Sequence, residues 1–338
     1  MNAKALICDE QQNFALTEVV LNDPAPDQVA IRTHFTGVSI GTEFGLISGK
    51  ISKMNRNPFP LCTGYQGTGI IEAVGADIDN FAVGDEVYFR GNDAMRLADG
   101  TEVGCVSGGH CSHIVTRPNT THGVAKMVPG AGMDVASLFV MPAVGLYGVD
   151  MANPRMGDTV VVHGVGMIGL GVVAACAQRG CVVVAVDIDE KPLAVAKALG
   201  ADCAINGKKQ DVAAVVRELA PEGADVVFEC TGHPQCVDPA IALCRRFGSF
   251  VWQGHYGDDP IALDFPTPHG KRLRMFFPCD DGWQPCRRAV IKNMAMGVLK
   301  WEHCITHRIG CAEMPAMFER IKRERDGDIV GVVVDWRD

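Results

Sequence analysis

The second half of the chain alternates regularly between short apolar runs and helical segments. Runs rich in valine suit strands, and a stretch with helical periodicity follows each of them. The predicted strands are Thr159–His163, Val182–Asp187, Cys203–Ile205, Asp225–Glu229, Ser249–Trp252 and Leu273–Phe277, and the predicted helices are Met167–Gln178, Lys191–Leu199, Asp211–Leu219 and Cys236–Arg246. Strands that alternate with helices form βαβ units. The pattern predicts an α/β fold with a doubly wound parallel sheet.

A glycine-rich turn joins the first of these strands to its helix. Its sequence, Gly164-Val-Gly166-Met167-Ile168-Gly169, has the spacing G-x-G-x-x-G. The first glycine permits a tight turn, the second lets a pyrophosphate approach the backbone, and the third lets the helix pack on the strand. The free N–H groups at the start of the helix suit phosphate. We predict that these residues bind a dinucleotide.

An acidic residue after the glycine-rich turn indicates whether the cofactor is NAD or NADP. Asp187 ends the next strand, eighteen residues after Gly169, and Ile188 rather than an arginine follows it. A carboxylate there can accept hydrogen bonds from the ribose of NAD and repels the 2′-phosphate of NADP. The alternative is that Asp187 merely ends the strand. We predict NAD, with Asp187 and Ile188 at its ribose.

The part of the chain before residue 130 is β-rich. Short strands are predicted at Val29–His34, Gly69–Val74, Glu86–Phe89 and His113–Thr116, with a loop over Gly91–Gly109. Further predicted elements are the helices Met133–Met151, Pro285–Leu299 and Met314–Arg323 and the strand Ile329–Val334. A length of 338 residues suits about two domains.

Composition restricts partners and location. The net charge of −9, without a dense Lys/Arg block, argues against a nucleic-acid or anionic-membrane partner. The longest apolar stretch, residues 160–177, contains a histidine and four glycines, which suits a strand, turn and helix better than a membrane span. The start lacks the apolar core of a signal peptide. None of the fourteen cysteines has C-x-x-C spacing, so we expect reduced thiols and a cytoplasmic protein.

These features resemble the medium-chain dehydrogenase/reductase family, which includes the zinc alcohol and polyol dehydrogenases. Further matching segments are Gly75, Val83-Gly-Asp85-Glu-Val87, Phe228-Glu-Cys-Thr-Gly232 and Ile305-Thr-His-Arg308. The resemblance covers almost the whole chain. It implies a GroES-like β-barrel catalytic domain over 1–139, a Rossmann NAD-binding domain over 140–279 and a return to the first domain over 280–338. It also implies cofactor contacts at Thr231 and Gln253, and a homodimer or homotetramer.

The zinc motifs of that family are altered in this chain. Zinc members carry a cysteine before Gly-Thr-Asp and a histidine in Gly-His-Glu, whereas this chain has Ile40-Gly41-Thr42-Glu43 and Gly64-Tyr65-Gln66. The third ligand position falls at about Met141. Zinc prefers thiolate, imidazole or carboxylate ligands.

The structural zinc lobe of the family is also missing. Only Cys105 and Cys111 lie where four closely spaced thiols are needed. We therefore predict no metal and no stoichiometric zinc. A displaced site made of Cys62, Glu43 and a histidine is the alternative.

Without zinc, side chains must take the alcohol proton or stabilise the alkoxide. The resemblance places Thr42 at a proton-relay position and Tyr65 beside the nicotinamide. Thr42 alternatively caps a helix. Tyr65 can act as an acid/base if Lys50 or Lys53 lowers its pKa from about 10, or it fills the space left by the metal. Glu43 is a helix N-terminal charge or a hydroxyl acceptor. We predict Thr42, Tyr65 and Glu43 as the catalytic residues.

Other polar residues suit a hydroxylated substrate. Gln66, Asn55 and Arg56 are predicted at the cleft, and His255 follows a strand end on the cofactor side of the sheet. His110 and His113 flank Cys111, but neighbours in a strand point to opposite faces, so we predict that the two histidines pack in the barrel and do not form a metal site.

The leading prediction is an NAD-dependent, zinc-independent dehydrogenase of a secondary alcohol, such as a polyol, cyclitol or sugar. The segment Ser39–Glu43 also resembles that of hydroxyethyl-bacteriochlorophyllide dehydrogenases, so a large ring substrate is a variant. The alternatives are a zinc-free NADPH quinone or enoyl reductase, against which Asp187 argues, and a non-catalytic nucleotide-binding protein. A nucleotide titration with an absorbance assay separates these functions.

Overall fold

The computed structural model describes residues 1–51, 59–105, 107–280, 284–323 and 327–337. The chain divides into two compact units. The first unit consists of Met1–Phe139, Ile291–Val298 and Ile305–Asp338, and the second unit consists of Val140–Val290 and Leu299–Cys304. In the described ranges, no helix combines the length and the apolar character that crossing a bilayer requires.

The first unit begins with short strands and helices. In chain order they are β1 (Asn2–Cys8), β2 (Phe14–Val20), β3 (Val29–Val38), α1 (Ile40–Ile47), β4 (Leu61–Cys62), β5 (Gly67–Val74), β6 (Glu86–Phe89), β7 (Met95–Leu97), β8 (Glu102–Cys105), β9 (His113–Thr116), β10 (Ala125–Lys126) and α2 (Met133–Ala136). The predicted loop Gly91–Gly109 is wrong in part, because β7 and β8 pair within it. Strands of three or four residues give too little alternation to be recognised.

The second unit alternates helices and strands. They are α3 (Val140–Ala152), β11 (Thr159–His163), α4 (Met167–Gln178), β12 (Val182–Asp187), α5 (Glu190–Ala198), β13 (Cys203–Asn206), α6 (Val212–Leu219), β14 (Ala224–Glu229), α7 (Val237–Leu243), β15 (Cys244–Trp252), α8 (Pro266–Lys271), β16 (Arg274–Phe276) and α9 (Gln284–Ala295). The predicted helix Cys236–Arg246 is too long, because Cys244 already pairs with Ala224 in the sheet. The predicted helix Met133–Met151 is two helices, α2 and α3.

The chain then returns to the first unit through β17 (Ile305–Gly310), α10 (Met314–Arg323) and β18 (Gly331–Asp335). A barrel is closed by β1, β2, β7, β8 and β4, and a second sheet has the order β10-β6-β5-β3-β18-β17, with β9 also paired to β3. The C-terminal strand therefore lies beside β3, antiparallel to it.

The second unit is built on a six-stranded sheet with the order β13-β12-β11-β14-β15-β16. Every neighbouring pair is parallel. This confirms the predicted doubly wound parallel sheet. The strand order reverses between β11 and β14, whose last residues, His163 and Glu229, are register partners. Open α/β sheets bind ligands at the carboxyl ends of strands around such a reversal.

Candidate functional site

The glycine-rich turn lies between β11 and α4 in the second unit. Gly164 has a φ of +90°, a conformation that favours glycine. A Cβ at Gly164 would lie 2.7 Å from the Thr231 methyl carbon, so only glycine fits. At Gly166, the N-cap of α4, a Cβ would meet nothing within 4 Å, and no side chain caps the helix. The turn therefore presents open backbone and helix N–H groups that suit a pyrophosphate.

Asp187 lies beside this turn, at the end of β12. One carboxylate oxygen accepts the N–H of Val165 at 2.8 Å, and the other accepts those of Ile188 at 2.7 Å and Asp189 at 3.1 Å. Asp187 thus attaches the glycine-rich turn to the carboxyl end of β12. A carboxylate offers about four acceptor positions, which leaves one for a ribose hydroxyl. The Ile188 side chain is exposed.

A fully buried glutamate ends the neighbouring strand β14. Glu229 Oε1 accepts the N–H of Thr231 at 3.0 Å and also its hydroxyl, and Oε2 accepts the hydroxyl of Tyr256. Burial raises the pKa of Glu229, but His163, Thr231 and Tyr256 outweigh that effect and hold the pKa below its ordinary value. Glu229 thereby fixes Thr231 against Gly164.

The first unit contains a second polar cluster, centred on a contact between Glu43 and His110. Both side chains are fully buried, with Glu43 Oε2 3.0 Å from His110 Nε2. Oε2 also accepts the hydroxyl of Thr63 at 2.8 Å, and Oε1 accepts the N–H of Ser39 at 2.7 Å. Glu43 therefore joins the start of α1 to the segment after β4.

Both ring nitrogens of His110 have hydrogen-bond partners. The indole N–H of Trp336 donates to Thr36 Oγ1 at 2.9 Å, and that oxygen lies 2.9 Å from His110 Nδ1. The Thr36 hydroxyl proton can then point at Nδ1, while Nε2–H donates to Glu43.

The predicted packing role of His110 is therefore incomplete. Its ring does contact Phe318, with the ring centroids 5.6 Å apart, but both of its nitrogens are also engaged. A Cβ at Gly64, where φ is +85°, would lie 2.7 Å from the His110 ring. The hydrogen bond between Glu43 and His110 was not predictable from local sequence, because the two residues are 67 positions apart.

Three hydroxyl groups form a chain at the start of α1. Tyr65 donates to Ser39 Oγ, and the Thr42 side chain is hydrogen-bonded to Tyr65. Burial raises the pKa of Tyr65, and these hydroxyls and the guanidinium of Arg90, 4.9 Å from the ring centre, only partly offset it. The phenol is therefore protonated at neutral pH and can donate a hydrogen bond.

The other predicted residues of the first unit are less informative. Gln66 is buried and donates Nε2 to the carbonyl of Gly37 at 3.4 Å. Lys50, proposed as a cation for Tyr65, is exposed. Asn55 and Arg56 lie outside the described residues, as does Lys53.

In the second unit, Gln253 and His255 follow β15. Gln253 is buried and donates Nε2 to the carbonyl of Val144 at 3.2 Å. His255 is exposed, and its Nδ1 accepts the N–H of Gly257 at 3.1 Å.

The residues that the resemblance predicts at the family's zinc positions do not have the chemistry of zinc ligands. Ile40 packs in an apolar cluster, Tyr65 directs its hydroxyl to Ser39, and Met141 is a buried thioether in the second unit. None of them offers thiolate, imidazole or carboxylate.

The displaced alternative has only two of its three donors together. His110 joins Glu43, but the Cys62 thiol lies 3.7 Å from the backbone carbonyls of Thr63 and His110. Within the described ranges, one group of three His, Cys, Asp or Glu donors lies together, and it does not include Cys62.

Both units contain residues that match known protein families. Residues 25–149 match the alcohol dehydrogenase GroES-like domain, and residues 167–294 match the zinc-binding dehydrogenase family. S-(hydroxymethyl)glutathione dehydrogenase of Candida maltosa is 26% identical, over 98% of this chain and 96% of that protein. Erythritol/L-threitol dehydrogenase of Mycolicibacterium smegmatis is also 26% identical, over 92% and 91% of the two chains.

Solved structures share the fold. Alcohol dehydrogenase TADH from Thermus sp. ATN1 has a TM-score of 0.82 at 21% identity and covers 98% of this chain and 99% of its own. The Escherichia coli oxidoreductase ECK1772, of unknown specificity, has a TM-score of 0.85 at 21% identity and covers 99% of both chains. The predicted α/β fold, with a GroES-like domain and a Rossmann-like parallel sheet, is confirmed. The domain matches and the relatives support the medium-chain dehydrogenase/reductase family.

Proposed function

We propose that this protein is a zinc-independent oxidoreductase that transfers a hydride between NAD(H) and a secondary alcohol or ketone. Its relatives include erythritol/L-threitol dehydrogenase and the sorbitol dehydrogenase of Bacillus subtilis, which supports a hydroxylated substrate such as a polyol, cyclitol or sugar. The observation that carries the proposal is the turn Gly164–Gly169, which combines a positive φ, open backbone at Gly166 and an uncapped helix start.

NAD, when bound, supplies a nicotinamide ring that exchanges a hydride with the substrate carbon. Gly166, Met167 and Ile168 would bind its pyrophosphate through backbone N–H groups. Asp187 would accept a ribose hydroxyl with its remaining acceptor position, and its charge disfavours a 2′-phosphate.

The chain Thr42–Tyr65–Ser39 handles the proton of the substrate hydroxyl. Each of these groups can accept one hydrogen bond and donate another, so Thr42 can take the substrate proton while it passes its own to Tyr65, Tyr65 passes its own to Ser39, and Ser39 releases one to water. In the direction of ketone reduction, the same chain returns a proton through Thr42 to the developing alkoxide. These hydroxyls replace the charge stabilisation that a metal gives in zinc enzymes.

Glu43 and His110 position this chain. Glu43 holds the N–H of Ser39, and it is itself held by Thr63 and His110. Because its oxygens accept three buried donors, Glu43 acts on Thr42 and Tyr65 through the backbone on which they lie.

The test is NAD⁺ reduction, followed by absorbance, across a panel of polyols, cyclitols and sugars in the presence of a chelator. We expect turnover of at least one secondary alcohol, with NAD preferred to NADP. Reduction of enones with NADPH would contradict the proposal, and NAD binding without turnover of any alcohol would indicate a non-catalytic protein. The resemblance also leads us to propose a homodimer or homotetramer.

A further inference from the structure

Three unlike donor atoms meet in the second unit on residues that the proposed proton chain does not use. A ring nitrogen of His163, a Glu229 carboxylate oxygen and Cys236 Sγ all lie within 4.8 Å of one another. His163 ends β11, Glu229 ends β14, and Cys236 ends a short 3₁₀ turn, Pro234–Cys236, before α7. We propose that these three side chains bind a divalent transition-metal ion, with zinc as the best match.

The state of His163 supports this site. Its Nδ1 is buried and has no hydrogen-bond partner among the described residues. Glu229 Oε1 lies 3.6 Å from it, just beyond hydrogen-bond distance. If the lone pair of His163 Nδ1 points at the Glu229 carboxylate, the two groups repel each other in the protein interior. A cation between the two atoms satisfies both.

Glu229 has the surroundings of a metal-binding carboxylate. It is fully buried, and the hydroxyls of Thr231 and Tyr256 fix its orientation. Metal ligands are commonly held in this way by hydrogen bonds from neighbouring groups. Oε2 accepts only the Tyr256 hydroxyl among the described residues, so it keeps a lone pair for an ion.

Cys236 determines which ions fit. Imidazole, carboxylate and thiolate are zinc ligands, and three protein ligands leave a fourth position for water. Bond lengths of about 2.0–2.3 Å place tetrahedral ligands roughly 3.3–3.8 Å apart, so the donors must close by about 1 Å. Rotation of the short Cys236 side chain can supply that movement. Cys236 is partly exposed, which gives an ion access, and its thiol proton is released on binding.

This site differs from the zinc positions of the family, and the sequence alone did not predict it, because its ligands come from three separate segments. Glu229 also holds Thr231 beside Gly164. An ion on Glu229 should therefore weaken NAD binding. That consequence rests on the proposed function, whereas the metal site does not.

The test is titration of the metal-free, full-length protein with Co²⁺, followed by the thiolate-to-cobalt charge-transfer absorbance, and then displacement by Zn²⁺. We expect one ion per chain. Cys236→Ser should abolish the band, His163→Gln should weaken binding at least tenfold, and Tyr256→Phe should weaken it about tenfold. Cys203→Ser, which changes another partly exposed cysteine of the same unit, should change neither the band nor the affinity.

A second measurement needs no variant. Zn²⁺ should protect Cys236, but not Cys203, from alkylation, as read by peptide mass mapping. A wild-type protein without a thiolate band, a band that survives in Cys236→Ser, or Cys236 alkylation unchanged by Zn²⁺ would each overturn the site. Because these experiments use no nucleotide, their failure leaves the proposed dehydrogenase activity untouched.

Discussion

His110 Nε2 lies 3.0 Å from Glu43 Oε2, although the two residues are 67 positions apart and neither is exposed to solvent. The contact fastens the first turn of α1 to the segment before β9, and the hydroxyl of Thr63, which donates to the same carboxylate, fastens it to the segment that carries Tyr65. The relative placement of Thr42 and Tyr65 therefore depends on a buried carboxylate that touches neither cofactor nor substrate in the proposed reaction.

Replacing Glu43 by glutamine should destabilise the first unit. The amide can accept only through its single oxygen, so at least one of the donors from Ser39, Thr63 and His110 loses its acceptor in the interior. We expect a loss of about 1–3 kcal/mol in the free energy of unfolding, measured with denaturant. Glu102→Gln, an exposed glutamate, is the matched control and should change little. Equal stabilities for the two variants would contradict the assigned role.

Tyr65→Phe removes one hydroxyl and keeps the ring. If the proton chain operates as proposed, kcat should fall by about two to four orders of magnitude while cofactor affinity changes little. Because the pKa of Tyr65 is raised, the loss should be constant up to about pH 10. Tyr88→Phe, which also removes a buried hydroxyl from the first unit, serves as control. A rise in KM alone would show that Tyr65 binds substrate without taking part in proton transfer. Normal kinetics would show that its ring only fills space.

Cofactor choice should follow the charge at position 187. Asp187→Ser combined with Ile188→Arg should relax the preference for NAD, because a repulsive charge is lost and a phosphate partner is gained. The variant should also be less stable, since Asp187 accepts three backbone N–H groups. Asp189→Ser is the neighbouring control. A wild-type protein that binds NADP more tightly than NAD would refute the assignment.

Glu229 should make stability depend on pH. Its pKa is lower in the folded protein than in the unfolded chain, so its contribution is present above the unfolded value, about 4.3, and is lost as the pH falls through the folded value. The difference in unfolding free energy between the wild type and Glu229→Gln should be largest near neutral pH and shrink on acidification. Glu218→Gln, on the exposed side of α6, should show no such trend. A stability difference that grows towards low pH would contradict a lowered pKa for Glu229 in the folded protein.

Turnover should not need a metal. We expect full activity after dialysis against a chelator, because the zinc positions of the family hold Ile40, Tyr65 and Met141. Cys236→Ser should also remain active, which separates the proposed metal site from the chemistry. Activity that disappears with the chelator and returns with zinc would show that a metal takes part in catalysis.

Local patterns predicted most of the second unit. The turn after β11 could be predicted because its glycines, its strand and its helix are adjacent in sequence, and the glycines are required by local geometry. β15 was partly mistaken for a helix, since the apolar residues near Cys244 suit either structure and only pairing with β14 decides. The cluster around Glu43 needed the tertiary fold, because the partners of His110 lie on β3 and on α1, and Trp336, which donates to Thr36, follows β18. No window of sequence contains them together.

The position of β18 beside β3 sets an order for the maturation of the protein. Val332 pairs with Val38, and Trp336 donates to Thr36, which in turn contacts His110. During synthesis, the N-terminal strands leave the ribosome long before these last residues do. The part of β3 that pairs with β18 therefore lacks its partner strand until the second unit has been synthesised. The hydrogen bond from Trp336 to the Thr36 hydroxyl that contacts His110 forms only after β18 has been made.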